Sequence, residues 1–136
     1  MKPWMVGVHR RIMTIATIAL AIALFLPGAP AFAHAMLVKA EPARRAGLAK
    51  APSQVRLWFN EEVEKDYAAL TVLNGDKHPM TELIPQISAD DPKSIVLPLP
   101  ELPPGKYTVK FRVLSVDGHV VDSSYDFTVK SKVPGK

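Results

Sequence analysis

The chain has 136 residues, enough for one domain, and no cysteine, which excludes disulfide frameworks, zinc–thiolate sites and thiol catalysis. Its 17 basic and 13 acidic residues suggest a basic protein, but Lys2, Arg10 and Arg11 stand in the first 33 residues without one acid, leaving 14 against the same 13 beyond them. With no sustained lysine or arginine stripe in that remainder, nucleic-acid binding has no electrostatic footing.

Met1–Arg11 reads as a short basic leader. Ile12–Leu26 follows as an uncharged apolar run of about 15 residues, short of the roughly 20 that a spanning helix needs. Pro27 and Gly28 break the run, and Ala31-Phe32-Ala33 has the small–x–small form of a cleavage site. The order predicts a secretory signal over residues 1–33, with a retained anchor as the competing reading. Apart from the pair itself, the residues around Arg10-Arg11 do not support a twin-arginine signal. No later stretch is apolar enough to span a membrane, so the expected mature domain, residues 34–136, is free and exported.

His34-Ala35-Met36-Leu37-Val38-Lys39-Ala40-Glu41 reads as a first strand stopped by Pro42, and Ala43–Ser53 as a connection broken at Gly47 and Pro52. Gln54–Phe59 alternates, with Val55, Leu57 and Phe59 expected inward and Arg56 and Trp58 outward. Asn60-Glu61-Glu62 closes it with an acidic corner. Ala68–Leu73 is a further strand, and Asn74-Gly75 is a strong hairpin signal. Lys77–Asp91 reads as irregular, Ser94–Leu99 as a short strand, and Pro103-Pro104-Gly105 as a turn. The run from Lys106 to Val113 is the strongest: Tyr107, Val109, Phe111 and Val113 share one face. Ser123–Lys130 alternates again, with Tyr125, Phe127 and Val129 inward.

Outside the leader no stretch has a helical period, and the ten prolines beyond it suit loops and strand ends. Short strands punctuated by glycine and proline predict an all-β sandwich of about seven strands, immunoglobulin-like or cupredoxin-like with Greek-key connections.

The candidate chemistry lies at the two ends of this domain. Cleavage after Ala33 would make His34 the first residue, and an N-terminal histidine can chelate one ion through its α-amine and Nδ1. Any residue can equally follow a signal. Asp117 and His119 are two apart, and in an extended chain such residues face one side, so their side chains are expected to converge. On the residues alone, Asp117-Gly118-His119 is as well read as an ordinary β-turn. Taken with His34, the set is three nitrogens and one oxygen, which suits tetragonal Cu(II). Glu61 is placed to add a carboxylate, or a hydrogen bond that sets an imidazole tautomer.

Seven segments stand out: His34-Ala35-x-Leu37-Val38, Glu41-Pro42-Ala43, Ala51-Pro52, Leu57-x-Phe59-Asn60-Glu61, Pro104-Gly105-x-Tyr107-x-Val109, Val113 through His119, and Phe127-Thr128-Val129. Together they resemble the CopC family of periplasmic copper-binding proteins. The most specific are the histidine after the cleavage site and the run Ser115-x-Asp117-Gly118-His119. The resemblance implies a small β-sandwich holding one Cu(II) in the periplasm, serving copper tolerance or supply. By its pattern His34, Asp117 and His119 are the ligands, and Glu61 matches an acidic residue that some members place nearby. The implied partners are the copper ion and a copper permease or another periplasmic copper protein.

Some members also carry a Cu(I) site built from clustered methionines. Beyond the leader this chain has only Met36 and Met80, so no such site is expected, and His78 reads as an exposed loop residue. Asp122 stands where the family often has glycine, and fusion to a following permease domain is not expected.

Two other functions compete. An N-terminal histidine with a second histidine on copper is also the histidine brace of oxidative polysaccharide-cleaving enzymes. But an amine, two imidazoles and Asp117 would fill four strong positions, whereas a catalytic metal keeps one open. Trp58 is the single tryptophan beyond the leader, too little for a broad carbohydrate-binding face. A metal-free adhesion module would leave His34 and His119 unexplained. The sequence therefore favours a binding protein over an enzyme.

Overall fold

A computed structural model describes residues 36–132. The expected leader, its expected cleavage site and His34 lie outside the described residues.

Among the described residues eight strands form two four-stranded sheets. The first sheet has the order β1 (Leu37–Glu41), β3 (Gln54–Phe59), β6 (Asp91–Pro98), β5 (Gln86–Ser88). The second has the order β2 (Gly47–Leu48), β8 (Val120–Val129), β7 (Gly105–Leu114), β4 (Ala69–Leu73). Sequence neighbours pair within one sheet only at β5–β6 and β7–β8; every other connection passes from one sheet to the other. This interleaving makes a sandwich rather than a row of hairpins.

The alternating runs produce the core as expected. Val55, Leu57 and Phe59 of β3 are buried, as are Tyr107, Val109, Phe111 and Val113 of β7 and Tyr125, Phe127 and Val129 of β8. Phe59 meets Phe111 edge-on across the sandwich, with ring centroids 5.8 Å apart. Tyr107 stacks on its cross-strand partner Phe127 at 5.4 Å. Such pairs contribute about 0.5–1.5 kcal/mol beyond their buried area. On the outer face of the first sheet Trp58 lies between Lys39 and Arg56, whose charged groups stand 4.4 and 4.6 Å from its rings. Arg56 also holds Ser94 Oγ at 3.0 Å and Asp90 Oδ1 at 3.1 Å.

Four local readings change. The Ala43–Ser53 connection contains β2, which runs parallel to the end of β8. Two residues are too few to show an alternating pattern, and this strand is specified by its partner. Lys77–Asp91 contains β5, and β6 begins at Asp91, earlier than its apolar run, because Pro92 is tolerated at the start of a strand. The turn after β4 takes its positive φ, +66°, at Lys77, while Asn74 Oδ1 accepts the amides of Asp76 and His78. The Asn-Gly pair therefore opens a longer turn instead of forming its centre. Finally, Asp117–His119 is not extended but bent.

That bend defines one pole of the domain. Leu37, at the start of β1, pairs with Phe59, at the end of β3. The chain leaving β3 then crosses to the other sheet: Val116 N–H donates to Glu62 O at 3.1 Å, Val63 bridges Ser115, and Glu64 N–H donates to Leu114 O at 2.8 Å. These bonds bring the start of β1, the Glu61 corner and the β7–β8 turn to the same end of the sandwich.

Candidate metal centre

The β7–β8 hairpin closes through Ser115 N–H, which donates to His119 O at 2.8 Å, and Gly118 N–H donates back to Ser115 O at 2.9 Å. Within the three-residue loop Gly118 takes φ +90°, a conformation that disfavours any residue with a Cβ. The curvature, not strand alternation, brings Asp117 and His119 together. Nδ1 of His119 lies 3.0 Å from Oδ1 of Asp117.

Ser115 organises the pair. It is fully buried, its Oγ donates a short hydrogen bond to Asp117 Oδ1, and it accepts the backbone N–H of His119 at 3.2 Å. The sequence reading assigns Ser115 no task. The available signal is its position: it continues the inward spacing of Tyr107, Val109, Phe111 and Val113 two residues before Asp117. The Ser115 hydroxyl, and next the His119 imidazole, hold the Asp117 carboxyl well below the ordinary aspartate range.

Glu61 comes from the opposite sheet's exit and faces the same pair. Its Oε2 is buried with no hydrogen-bond partner among the described residues. Desolvation, and next the adjacent Asp117 carboxylate, push the Glu61 carboxyl above its usual value. Two ionised carboxylates cannot hydrogen-bond to each other. A proton or a cation between them removes the repulsion and satisfies the orphaned oxygen. The corner is thus built to attract positive charge, with borderline nitrogen and hard oxygen donors.

Of the residues singled out in the sequence, Glu61, Asp117 and His119 meet at this pole, and His34 lies outside the described residues. Among the described residues no three His, Cys, Asp or Glu side chains stand arranged as a metal-holding group by themselves. His78 is exposed in its loop, and Met80 packs against the core. A groove of about 1070 Å³ between Pro52, Leu99, Leu102 and Pro104 lies at the other end of β7 and shares no residue with the site. Among the described residues no helix is long and apolar enough to cross a membrane.

With this geometry in hand, the comparisons with known proteins are specific. The chain is 35% identical over 100 residues to Protein YobA of Escherichia coli (strain K12), covering 73% of this chain and 81% of that one. The crystal structure of CopC from Methylosinus trichosporium OB3b superposes with a TM-score of 0.68 at 37% identity, covering 74% of this chain and all of that one. PcoC, a methionine-rich copper resistance protein from Escherichia coli, superposes with a TM-score of 0.59 at 35% identity, over 72% of this chain and all of that one. Residues 37–130 match the CopC domain model, the span that holds both sheets, Glu61 and the Ser115–His119 turn. The chain belongs to the CopC family.

Proposed function

We propose that this chain is an exported, periplasmic copper-binding protein that carries or buffers one Cu(II) at the Glu61–Asp117–His119 pole. The observation that carries the reading is the orphaned Oε2 of Glu61, buried opposite an Asp117 carboxylate already paired with an imidazole. A corner with surplus negative charge and one imidazole fits a divalent cation as cargo, and the affinity order of such donors favours copper. Carboxylate and imidazole suit Cu(II). Cu(I) prefers thioethers, and beyond residue 33 this chain has two methionines, where the similar PcoC is methionine-rich.

In this reading His119 binds through Nε2, since its Nδ1 lies against Asp117 Oδ1 at 3.0 Å. Asp117 anchors that ring through Oδ1 and meets the ion with its other oxygen. His34, exposed as a new N-terminus when residues 1–33 are removed, adds its α-amine and imidazole. Glu61 balances the charge beside these ligands. Four strong donors leave no equatorial position for oxygen, which makes transport or storage the function rather than oxidation. A copper permease or another periplasmic copper protein is the partner class.

The test compares protein beginning at His34 with the same protein acetylated on that N-terminus. An acylated nitrogen that keeps its proton, its lone pair delocalised into the carbonyl, does not replace an amine. The first form is expected to bind one Cu(II) per chain, and the acetylated form to bind orders of magnitude more weakly. Equal affinity with the same visible spectrum would exclude the N-terminal amine.

A further inference from the structure

The two edges of β8 are paired unequally. Toward β7 the strand is bonded over its whole length, from Val120 opposite Leu114 to Val129 opposite Gly105. The hairpin closes with Ser115 N–H on His119 O, and bonded pairs alternate from there. Val121, Ser123, Tyr125 and Phe127 therefore aim their backbone groups at β7, and the even-numbered residues aim theirs at the opposite edge. Three bonds on that edge agree with this parity. Arg45 N–H donates to Asp126 O at 2.7 Å, Thr128 N–H to Ala46 O at 2.8 Å and Lys130 N–H to Leu48 O at 2.8 Å. N-terminal to Asp126 the cover ends, because the chain before Arg45 belongs to β1 in the other sheet. Val120, Asp122 and Ser124 thus present N–H and C=O groups with no backbone partner among the described residues, and all three residues are exposed.

The other sheet edges are blunted. β1 is bulged at Val38, β2 has two residues, and β5 has three with an irregular register. β4 is covered by the chain that follows it: Met80 N–H donates to Val72 O at 2.8 Å, and Pro79 bridges Leu73. Among the described residues Val120–Ser124 is the regular strand edge left uncovered. An open edge of this kind is a template for an added strand. It begins one residue after His119.

Charge selects the occupant. Asp122 is the one charged side chain in Val120–Ser124, and no ion pair engages it among the described residues. On the β7 side Arg112 stands opposite Asp122 and Lys110 opposite Ser124. A second copy paired antiparallel through all three open residues would set Asp122 against Asp122, and like charges directly opposite destabilise a sheet. A strand bearing lysine or arginine at that place instead continues the alternation of Arg112 and Asp122 across the sheet. We propose that the Val120–Ser124 edge receives an extended, cationic segment of a partner protein as an added β-strand. The proposal rests on the copper reading only for its purpose, since the added strand ends beside His119, where a copper acceptor has to come.

The experiment uses the exported protein, isotope-labelled and free of metal, with an acetylated and amidated Lys-Val-Lys-Val-Lys peptide as probe. The same peptide with Glu in place of Lys is the charge control. Amide exchange, read by NMR, is expected to slow at Asp122 and Ser124 with the Lys peptide and to stay unchanged with the Glu peptide. Asp122→Lys should weaken binding of the Lys peptide about 10-fold and admit the Glu peptide. Ser124→Pro removes one outward N–H at an edge, where proline is tolerated. It should abolish the protection at Asp122 while the thermal midpoint stays near the parent; if that midpoint falls, Asp122→Lys decides alone. No slowing at Asp122 and Ser124, or equal slowing by both peptides, would overturn the proposal. Slowing that grows with protein concentration alone would overturn it in favour of a second copy. No metal enters these readouts, so a failed Cu(II) titration leaves the peptide result standing, and a failed peptide titration leaves the copper reading standing.

Discussion

Nδ1 of His119 and Oδ1 of Asp117 stand 3.0 Å apart across Gly118, and the same Oδ1 accepts the hydroxyl of Ser115. The imidazole is thus oriented by a carboxylate that is itself held by a buried serine. In the proposed copper site this contact distinguishes His119 from His78, which is exposed in its loop.

His119→Ala should therefore lower Cu(II) affinity by orders of magnitude, while His78→Ala leaves it near the parent value. Titration of both variants against the parent checks this. Equal losses in the two would remove His119 from the ligand set.

Gly118 offers a sharper probe of the turn. A Cβ added there meets nothing within 4 Å, so Gly118→Ala creates no clash. Its cost is the φ of +90°, about 1–2 kcal/mol for a residue with a side chain. The strain is relieved by opening the loop, which separates Asp117 from His119. Gly118→Ala is expected to lose stability by that amount in urea unfolding and to lose copper affinity, and Gly118→Asn to lose less of each because asparagine tolerates positive φ.

Acid sensitivity should arise on the outer faces of the sheets as well as at the pole. The Ser88 hydroxyl, and next Arg56, hold the Asp90 carboxyl below its ordinary range; Thr108, and next Lys106, do the same at Asp126. A carboxyl whose folded pKa is depressed stabilises the fold above its unfolded value of about 3.9, and that contribution is lost as pH falls through the folded value. Asp90→Asn and Asp126→Asn should lower the thermal midpoint at neutral pH. The difference from the parent should shrink once pH falls below about 4. A difference that stays constant through that range would show that neither charge is linked to folding.

Tyr125 tests the tie between β8 and the chain leaving β1. Its buried hydroxyl donates to Pro42 O at 2.9 Å, and burial pushes the phenol far above its usual pKa. Tyr125→Phe keeps the ring and leaves the Pro42 carbonyl without this donor, which costs about 1–3 kcal/mol. Chemical denaturation with an unchanged m-value measures it, and copper affinity should stay close to the parent because the contact is remote from Asp117.

The class of fold was legible in the sequence because β3, β7 from Tyr107 onward and the second half of β8 turn one face wholly inward. A period of two over six to ten residues is a local property, visible without partners. Asp117, His119 and Glu61 were legible as candidates because few residue types can do this chemistry and they sit where strands end. Contacts between distant segments were not legible. Gly47-Leu48 becomes a strand only because β8 lies beside it, and Ser115 becomes the organiser of the site only because the turn buries it between two sheets. The Asn60 side chain accepts the Met36 N–H only because tertiary folding puts Met36, 24 positions away, within 2.6 Å. The sequence by itself determined which faces must be buried and which side chains could bind a cation. The tertiary structure decided which of them meet, because hydrogen bonds and charge interactions act over a few ångströms and depend on distances that no spacing along the chain encodes.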